Sequence, residues 1–424
     1  MLSCRGGEAQ TQATTRGADD AAPARAAKPA ADAAPPPAPL PYLGFDGACA
    51  KGKRAVVAVA GDVLMHHELQ RQAVEHRRRY RSIWAGVADL LEAADVTYAN
   101  VEGPIAPGLN AAFEEVPDPG FVFDEEVYTG YPRFNYHREL GYDLKRSGVD
   151  VVSTANNHTF DRGSIGVDRT IEWLRDARLK LTGTTRTDEL DAEWYTITTA
   201  GPLKIAWLAC TAFTNIAKLD EAEQVLRCKA HADEIAALVK QLSRRRSIDA
   251  VIITPHWGNQ YSHEQTEQQI QWAHQWLDAG ATAVVGSHPH VLQPWEKYVT
   301  KDGRETLILY SLGNFASHQP ELQRRSGALF YFGLVRGRDK ITRISGVRYV
   351  PLHVRQTGDR FYVEAIDRVG GPAEARQHIT SIFSPYNVIH PDDNLVMDPQ
   401  CAEHWQPSID PLDYVPPLPP RPDK

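Results

Sequence analysis

The chain has 424 residues, of which 42% are hydrophobic and 24% charged, and its formal net charge is −8. This composition is ordinary for a globular protein and excludes a collagen-like, coiled-coil or wholly disordered chain. The mild acidity excludes a chain-wide electrostatic attraction to nucleic acid, which is therefore not an expected partner. No apolar run approaches the roughly 18 residues that a membrane-spanning helix needs.

The first 42 residues differ in composition from the rest of the chain. Residues 21–41 are almost entirely alanine and proline, which predicts a disordered tether that cannot bury a core. No basic region followed by an apolar segment is present, so the sequence as written shows no signal peptide. Its start, from Met1 to Cys4, nevertheless resembles that of a bacterial lipoprotein. The sequence therefore suggests the cell envelope, as an exported protein or a lipoprotein, and leaves a cytoplasmic location open.

Three regions are predicted from these changes in composition. The main domain is expected to follow a short connection after the tether, and a Pro-rich tail is expected after about residue 394. The predicted boundaries are a tether at 1–42, a main domain at 54–370 and a C-terminal extension at 371–424.

The five cysteines are scattered along the chain and never occur as C-x-x-C. Their odd number and irregular spacing predict neither a disulfide framework nor a thiolate zinc site. They are Cys4, Cys49, Cys210, Cys228 and Cys401.

Strand patterns and helix patterns alternate along the main domain. Short apolar runs predict strands at 55–60, 95–99, 149–153, 204–209, 250–254, 282–285 and 306–310. Helical spacing of apolar residues predicts helices at 83–94, 138–147, 165–177, 230–242 and 265–279. Residues 106–135 show no period and predict an inserted loop. The pattern then becomes β-rich, with strands at 329–335, 347–354 and 361–365. This alternation favours an α/β fold with a β-rich C-terminal part.

Polar residues of metal-ligand type follow five of these apolar runs directly. In open α/β sheets, functional sites form at the carboxyl ends of the strands, so these residues are expected to meet. Each cluster alone could be a turn or a helix cap, and Asp161 in particular stands where it could cap the following helix. The clusters are Asp62; Asn100 and Glu102; Asn157, His158 and Asp161; His256; and His288 with His290.

Carboxylate, amide and imidazole ligands together suit a divalent metal, one or two of Zn, Mn, Fe or Mg. Two metals about 3.5–4 Å apart can activate a water and hold both oxygens of a displacement at phosphorus. A set of this size would be enough for two metals that share one carboxylate.

The ordered set of motifs resembles the CapA family of poly-γ-glutamate capsule biosynthesis proteins, within the calcineurin-like metallophosphoesterase superfamily. The resemblance covers roughly residues 54–335 and implies a four-layer α/β/β/α sandwich of metallophosphatase type. The motifs that carry it are Gly61-Asp62-Val63, Asn100-Val101-Glu102-Gly103-Pro104, Ala155 to Asp161, His256-Trp257-Gly258, Gly286 to Val291 and Ser311 to Phe315.

The resemblance also implies a role for each site residue. Glu102 would bridge two metals, His158 would be the general acid, and Asp161 would orient it. Asn100 and Asn314 would lie near the site as substrate-binding residues. The remaining implied metal ligands are Asp62 and His290 at the first metal, and Asn157, His256 and His288 at the second.

Two departures from the superfamily pattern concern the first metal. The superfamily has Asp-x-His where this chain has Asp62 followed by Val63 and Leu64, and the nearest histidines are His66 and His67. Glu102 stands where the superfamily has Gly-Asp. The first metal site therefore lacks one ligand, and a protein that binds one metal, or none, remains an alternative.

Two hypotheses of function follow. The first is a metal-dependent hydrolase that acts on a phosphoester or a γ-glutamyl amide, with a metal-activated water and His158 as general acid. The alternative is a non-catalytic component at the cell envelope that binds an anionic polymer or assembles with a membrane synthase complex. A weaker third hypothesis is a sugar- or peptide-binding protein that keeps the cleft without metal, which would predict aromatic walls.

Overall fold

The computed structural model of the chain describes residues 38–216 and 223–402. The predicted tether, except its last five residues, and the predicted tail beyond residue 402 lie outside the described residues. The described residues from Pro39 onward belong to one compact unit. The domain boundaries near residues 54 and 370 stay predictions.

The described residues form fourteen strands and nine α-helices. The strands are β1 (Lys53–Val63), β2 (Val96–Val101), β3 (Val151–Ser153), β4 (Lys180–Thr182), β5 (Tyr195–Ala200), β6 (Leu203–Thr211), β7 (Ala250–His256), β8 (Ala283–Val285), β9 (Leu292–Val299), β10 (Glu305–Leu312), β11 (Asn314–Ala316), β12 (Ser326–Arg336), β13 (Thr342–Thr357) and β14 (Arg360–Ala365). The helices are α1 (His67–Glu75), α2 (Ala88–Glu92), α3 (Glu139–Arg146), α4 (Gly163–Asp176), α5 (Ala232–Arg244), α6 (Glu267–Ala279), α7 (Leu322–Arg325), α8 (Ile366–Val369) and α9 (Ala373–Ile382).

The strands form two mixed sheets. The first has the order β14-β13-β12-β1-β2-β3-β4, with β11 also paired to β1, and β1 to β4 run parallel. The second has the order β5-β6-β7-β8-β10-β9, with a parallel centre and antiparallel strands at both edges. The carboxyl ends of β1, β2 and β3 in the first sheet and of β7 and β8 in the second lie near one another. Each sheet therefore contributes polar groups to one candidate site.

The layers follow from what each face of each sheet packs against. Val57 and Tyr98 of the first sheet and Trp207 and Ile252 of the second belong to one buried cluster between the sheets. Within it the Tyr98 and Trp207 rings stack with centroids 5.5 Å apart. A second cluster packs α1, α2 and α3 on the outer face of the first sheet, and a third packs α5 and α6 on the outer face of the second. The result is the expected α/β/β/α sandwich.

Most predicted elements are confirmed, and one helix prediction is wrong. Residues 83–94 do not form a single helix: a 3₁₀ turn, Ala85–Val87, precedes the short α2. Gly86 lies in that turn, and glycine disfavours a helix interior by about 1 kcal/mol relative to alanine. Residues 106–135 contain neither helix nor strand among the described elements, as expected for an inserted loop.

The prediction that the cysteines form no disulfide framework is wrong. Cys49 pairs with Cys401, and Cys210 pairs with Cys228, with Cα–Cα distances of 5.2 Å and 5.1 Å. The first pair is separated by 352 residues, and irregular spacing along the sequence says nothing about such proximity in the fold. Cys4 lies outside the described residues.

Candidate metal centre

The carboxyl end of β1 is brought against two neighbouring strands. Asp62 of β1 lies opposite Asn100 of β2 and Asn314 of β11 in the strand register. A Cβ atom on Gly61 would lie 2.0 Å from the Gly313 carbonyl oxygen, so only glycine allows this approach. The sequence at residues 61–62 therefore places a carboxylate where strands 1, 2 and 11 meet.

The first group of potential ligands is Asp62, Glu102 and His290. His290 Nδ1 lies 3.3 Å from Asp62 Oδ2, and His290 Nε2 lies 3.6 Å from Glu102 Oε1. One ligand atom from each of the three residues lies within 4.8 Å of the others. All three side chains are buried.

The second group is Glu102, His256 and His288, and it shares its carboxylate with the first. His256 Nε2 lies 3.6 Å from Glu102 Oε1 and 3.1 Å from His288 Nδ1. The side-chain oxygen of Asn157 lies 2.8 Å from the same His256 nitrogen. The structure thus brings together every residue predicted as a metal ligand, in two groups joined by Glu102.

The carboxylates of this site have oxygens without hydrogen-bond partners. Both Glu102 oxygens and Asp62 Oδ2 are buried and accept no hydrogen bond from any described group. Burial, and then the nearby charges of Asp62 and Asp161, raise the pKa of Glu102 well above its ordinary value. An unpaired buried carboxylate is costly, and a bound metal cation offsets that cost. The residues present therefore fit a divalent metal.

The imidazoles of the second group are in the state that a metal requires. Burial, and then the neighbouring histidines, lower the pKa of His256 well below its ordinary value, and the same causes lower the pKa of His288 to about 3. Both rings are therefore neutral at physiological pH, and each keeps a nitrogen lone pair for a metal.

The backbone around the His288 and His290 pair is strained. Their φ angles are 102° and 58°, in the left-handed region that residues with a side chain rarely adopt. Strain of this kind persists only where the surrounding structure holds it, and it concentrates at functional sites. Here it turns two histidines that are separated only by Pro289 toward different ligand groups.

His158 and Asp161 form a buried pair beside the ligand groups. His158 Nδ1 lies 2.7 Å from Asp161 Oδ2, and the same oxygen accepts a hydrogen bond from the Phe134 backbone N–H at 2.7 Å. The Phe134 ring packs edge-on against the imidazole, with centroids 4.7 Å apart. The carboxylate therefore fixes the ring orientation and leaves Nε2 as the nitrogen that can exchange a proton.

Asn100 and Asn314 contact the ligands of the first group. Asn100 Nδ2 donates a hydrogen bond of 2.8 Å to Asp62 Oδ1, and Asn314 Oδ1 lies 3.1 Å from His290 Nδ1. Both side chains are buried and orient a neighbouring ligand. Their contact with substrate stays a prediction.

A cavity of about 600 Å³ opens onto Asn157, His158 and Asp161. Its other walls come from loops and from α7, and their residues were not among the predicted site residues. They include Tyr131, Arg133, Asn215, Tyr261 and Arg324, together with His66. His66 and His67 belong to neither of the two ligand groups found among the described residues.

Comparison with known proteins identifies the family. A family model described as bacterial capsule synthesis protein PGA_cap matches residues 56–319, more than half of the chain. The chain belongs to this family. It is 25% identical to the capsule biosynthesis protein CapA of Bacillus anthracis over 75% of this chain and 72% of that protein. It is 27% identical to the PGA biosynthesis protein CapA of Bacillus subtilis, over 70% and 73% respectively.

A solved structure, that of the sulfate thiohydrolase SoxB from Thermus thermophilus, matches with 15% identity and a TM-score of 0.31. The match covers 59% of this chain and 39% of that one, and the TM-score is too low to compare the two folds.

The PGA_cap match spans every residue of the two ligand groups and the His158–Asp161 pair. It ends before Arg324, so one wall of the cavity lies beyond the matched residues. In the part of the chain that the structure describes, no helix is long and apolar enough to cross a membrane.

Proposed function

We propose that this PGA_cap protein is a metal-dependent hydrolase of capsule or poly-γ-glutamate biosynthesis. The observation that carries the proposal is the buried Glu102 carboxylate, which has no hydrogen-bond partner and is shared by two ligand groups. Asp62 and His290 complete the first group, and His256 with His288 the second, with Asn157 beside them. A divalent metal bound there would supply Lewis-acid polarisation and water activation.

The protein's own contribution to the reaction is positioning and proton transfer. Hydrolysis adds a hydroxyl to the phosphorus or carbonyl carbon and breaks its bond to the leaving oxygen or nitrogen, which takes a proton. His158 is placed to deliver that proton from Nε2, since its Nδ1 is held by Asp161. The candidate substrates are a phosphoester and a γ-glutamyl amide, and the name of the Bacillus subtilis relative, a PGA biosynthesis protein, favours the amide.

We expect the His288→Ala/His290→Ala variant to lose its metal. The substitutions remove one imidazole from each ligand group, so each group keeps two of its three residues. Elemental analysis of the purified full-length chain should find metal in the wild type and a strongly reduced content in the variant. Hydrolysis of an aryl phosphate and of a γ-glutamyl anilide should fall with it.

The control for this experiment is His274→Ala. His274 is a half-buried histidine that also pairs with a glutamate, its Nε2 lying 2.8 Å from Glu296 Oε1, but it belongs to neither ligand group. It should keep the wild-type metal content. A folded wild type that takes up no Zn, Mn, Fe or Mg would contradict the proposal.

A second candidate function is polymer binding without catalysis, in a synthase assembly at the cell envelope. Exposed aromatic side chains at the mouth of the site, which the sugar- or peptide-binding hypothesis also predicts, offer a binding surface: Tyr131 is 66% exposed, Tyr261 42% and Phe213 40%. Tyr131 and Tyr261 line the cavity, and the Phe213 ring lies 5.0 Å from that of His288. A metal-loaded chain that binds poly-γ-glutamate and hydrolyses neither substrate would favour this candidate.

We also propose that the protein works outside the cytoplasm, at the cell envelope. Two disulfides support this location, because disulfides persist in oxidising compartments and are rare in the cytosol.

The corresponding prediction concerns thiol reactivity in the native host. In cells quenched with acid, the four described cysteines should resist alkylation until a reductant is added. The readout is mass spectrometry of peptides that contain Cys49, Cys210, Cys228 and Cys401. Alkylation of all four without reductant would contradict both the pairing and the proposed location.

A further inference from the structure

The cavity in front of the ligand groups carries positive charge at its mouth. Arg133 and Arg324 both line it, whereas Asp161, the one carboxylate among its described lining residues, is buried and bonded to His158. The whole chain has a net charge of −8, so a local excess of cations here does not follow from composition. A mouth of this kind attracts anions.

Arg324 is held in place by an aromatic ring. Its guanidinium carbon lies 3.4 Å from the centroid of the Tyr261 ring, close enough for stacking. Tyr261 is itself fixed, because its backbone N–H donates a hydrogen bond of 2.8 Å to the Pro289 carbonyl oxygen. Its ring also lies 6.1 Å from that of His290. The arginine is therefore tied through Tyr261 to the histidine segment of the first ligand group.

The backbone of Arg324 is tied to the same histidine by a second route. Asn314 Nδ2 donates a hydrogen bond of 2.9 Å to the Arg324 carbonyl oxygen, and Asn314 Oδ1 lies 3.1 Å from His290 Nδ1. Main chain and side chain thus place the guanidinium at a defined position relative to the candidate metal site.

One edge of the guanidinium is left for a ligand. Glu321 Oε2 lies 2.9 Å from Arg324 Nη1, and this is the one carboxylate that pairs with Arg324 among the described residues. A guanidinium has five N–H donors in a planar fork, and a carboxylate or phosphate binds to two of them at once. Arg324 is 23% exposed, so a ligand in the cavity can reach it.

We infer that Arg324, stacked on Tyr261, is a specificity-determining residue that binds an anionic group of the substrate beside the bond to be hydrolysed. The inference rests on the proposed function and deepens it. For a poly-γ-glutamate chain, the anionic group is the free α-carboxylate of a residue next to the scissile γ-amide. Arg133, exposed on the opposite loop, adds charge at the mouth but has no comparable ring beneath its guanidinium, since Phe113 lies 5.6 Å away.

The test compares binding of an acidic ligand with binding of its uncharged counterpart. The probes are a γ-linked glutamate oligomer and the same oligomer with its α-carboxylates amidated. Each is titrated by calorimetry into the metal-loaded full-length chain. The wild type should prefer the acidic oligomer, and Arg324→Gln should weaken that binding about tenfold, the size of one charge-assisted hydrogen bond. Binding of the amidated oligomer should not change.

Two further variants separate a binding role from a structural one. Arg324→Lys keeps the charge without the planar fork and should recover part of the preference. Arg360→Gln is the matched control, because Arg360 is also partly exposed and paired with a glutamate, Glu75, but does not line the cavity. It should bind like the wild type.

Metal content, measured on the same samples, keeps this inference separate from the proposed function. Equal wild-type affinity for the two oligomers, no detectable binding of either, or an unchanged preference in Arg324→Gln would overturn the role of Arg324. Each of these results would leave the metal site intact. A wild type that binds no metal would instead contradict the proposed hydrolase function, whatever its affinity for the oligomers.

Discussion

Glu102→Gln should abolish metal binding in both ligand groups and lower kcat by at least about 1,000-fold, the several kcal/mol that a metal contributes to the transition state. The effect should exceed that of any single histidine variant, because Glu102 is the one residue that the two groups share. The readouts are metal content and hydrolysis of an aryl phosphate and a γ-glutamyl anilide.

The stability of the metal-free protein provides a second test of this variant, in which the expected effect is a gain instead of a loss. The Glu102 carboxylate is fully buried without a hydrogen-bond partner, and its neighbour Asp62 is also acidic. Glutamine has nearly the same shape and no charge, so the metal-free variant should unfold at a higher temperature than the metal-free wild type. We expect a gain of about 1–3 kcal/mol, because the raised pKa of Glu102 makes the metal-free wild type either bury a charge or take up a proton at neutral pH, and glutamine avoids both. Added metal should then stabilise the wild type and leave the variant unchanged.

A control for both readouts is Glu296→Gln. Glu296 is half-buried and pairs with His274 outside the site, so this variant should keep its metal and its activity. If Glu102→Gln kept a full metal content, or if its metal-free form were less stable than the metal-free wild type, the assigned role of Glu102 would be wrong.

His158→Asn should lower kcat by about 10²–10⁴-fold, the usual contribution of a general acid, while the metal content stays at the wild-type level. The loss should depend on the leaving group. Substrates that release p-nitrophenol need little help from an acid, whereas those that release an alcohol or an amine need it most.

Asp161→Asn tests the other member of the His158–Asp161 pair, with a smaller expected loss of activity. One Asp161 oxygen, Oδ2, accepts from the Phe134 N–H and holds His158 Nδ1; an amide oxygen can take its place but lacks the negative charge that stabilises the protonated imidazole. We expect a smaller loss of about 10- to 100-fold with the same dependence on the leaving group. If both variants lost activity equally with good and poor leaving groups, the pair would have a structural role instead of an acid–base one.

The sequence allowed the residues of the two candidate ligand groups to be predicted as neighbours because each follows a short apolar run. Asp62, Glu102 and His256 all stand at or just beyond a strand end, where a buried strand meets the site. The assignment of the strands to two sheets could not be predicted from the sequence, because an apolar run does not indicate which neighbouring strand it pairs with. Strands β4, β5, β9 and β11 were missed because none of them contains a continuous apolar run like those of β3 and β8.

The residues of the cavity wall were missed for a different reason. Asn215 and Tyr261 lie in loops and Arg324 in the four-residue α7, and nothing periodic distinguishes them from solvated residues. Tyr261 follows the motif at residues 256–258 closely, which is the one signal that could have found it. The disulfides were missed because pairing depends on the fold: 352 residues separate Cys49 from Cys401.

That long-range disulfide determines how the molecule would respond to a pulling force. A load applied at the two ends of the chain would pass from the segment before residue 49, through the bond, to the segment after residue 401. The strands of both sheets and the candidate metal centre lie between these two cysteines in the sequence, so the bond shields them from this load. These parts would therefore keep their geometry under tension, and only a reductant would bring them into the line of force.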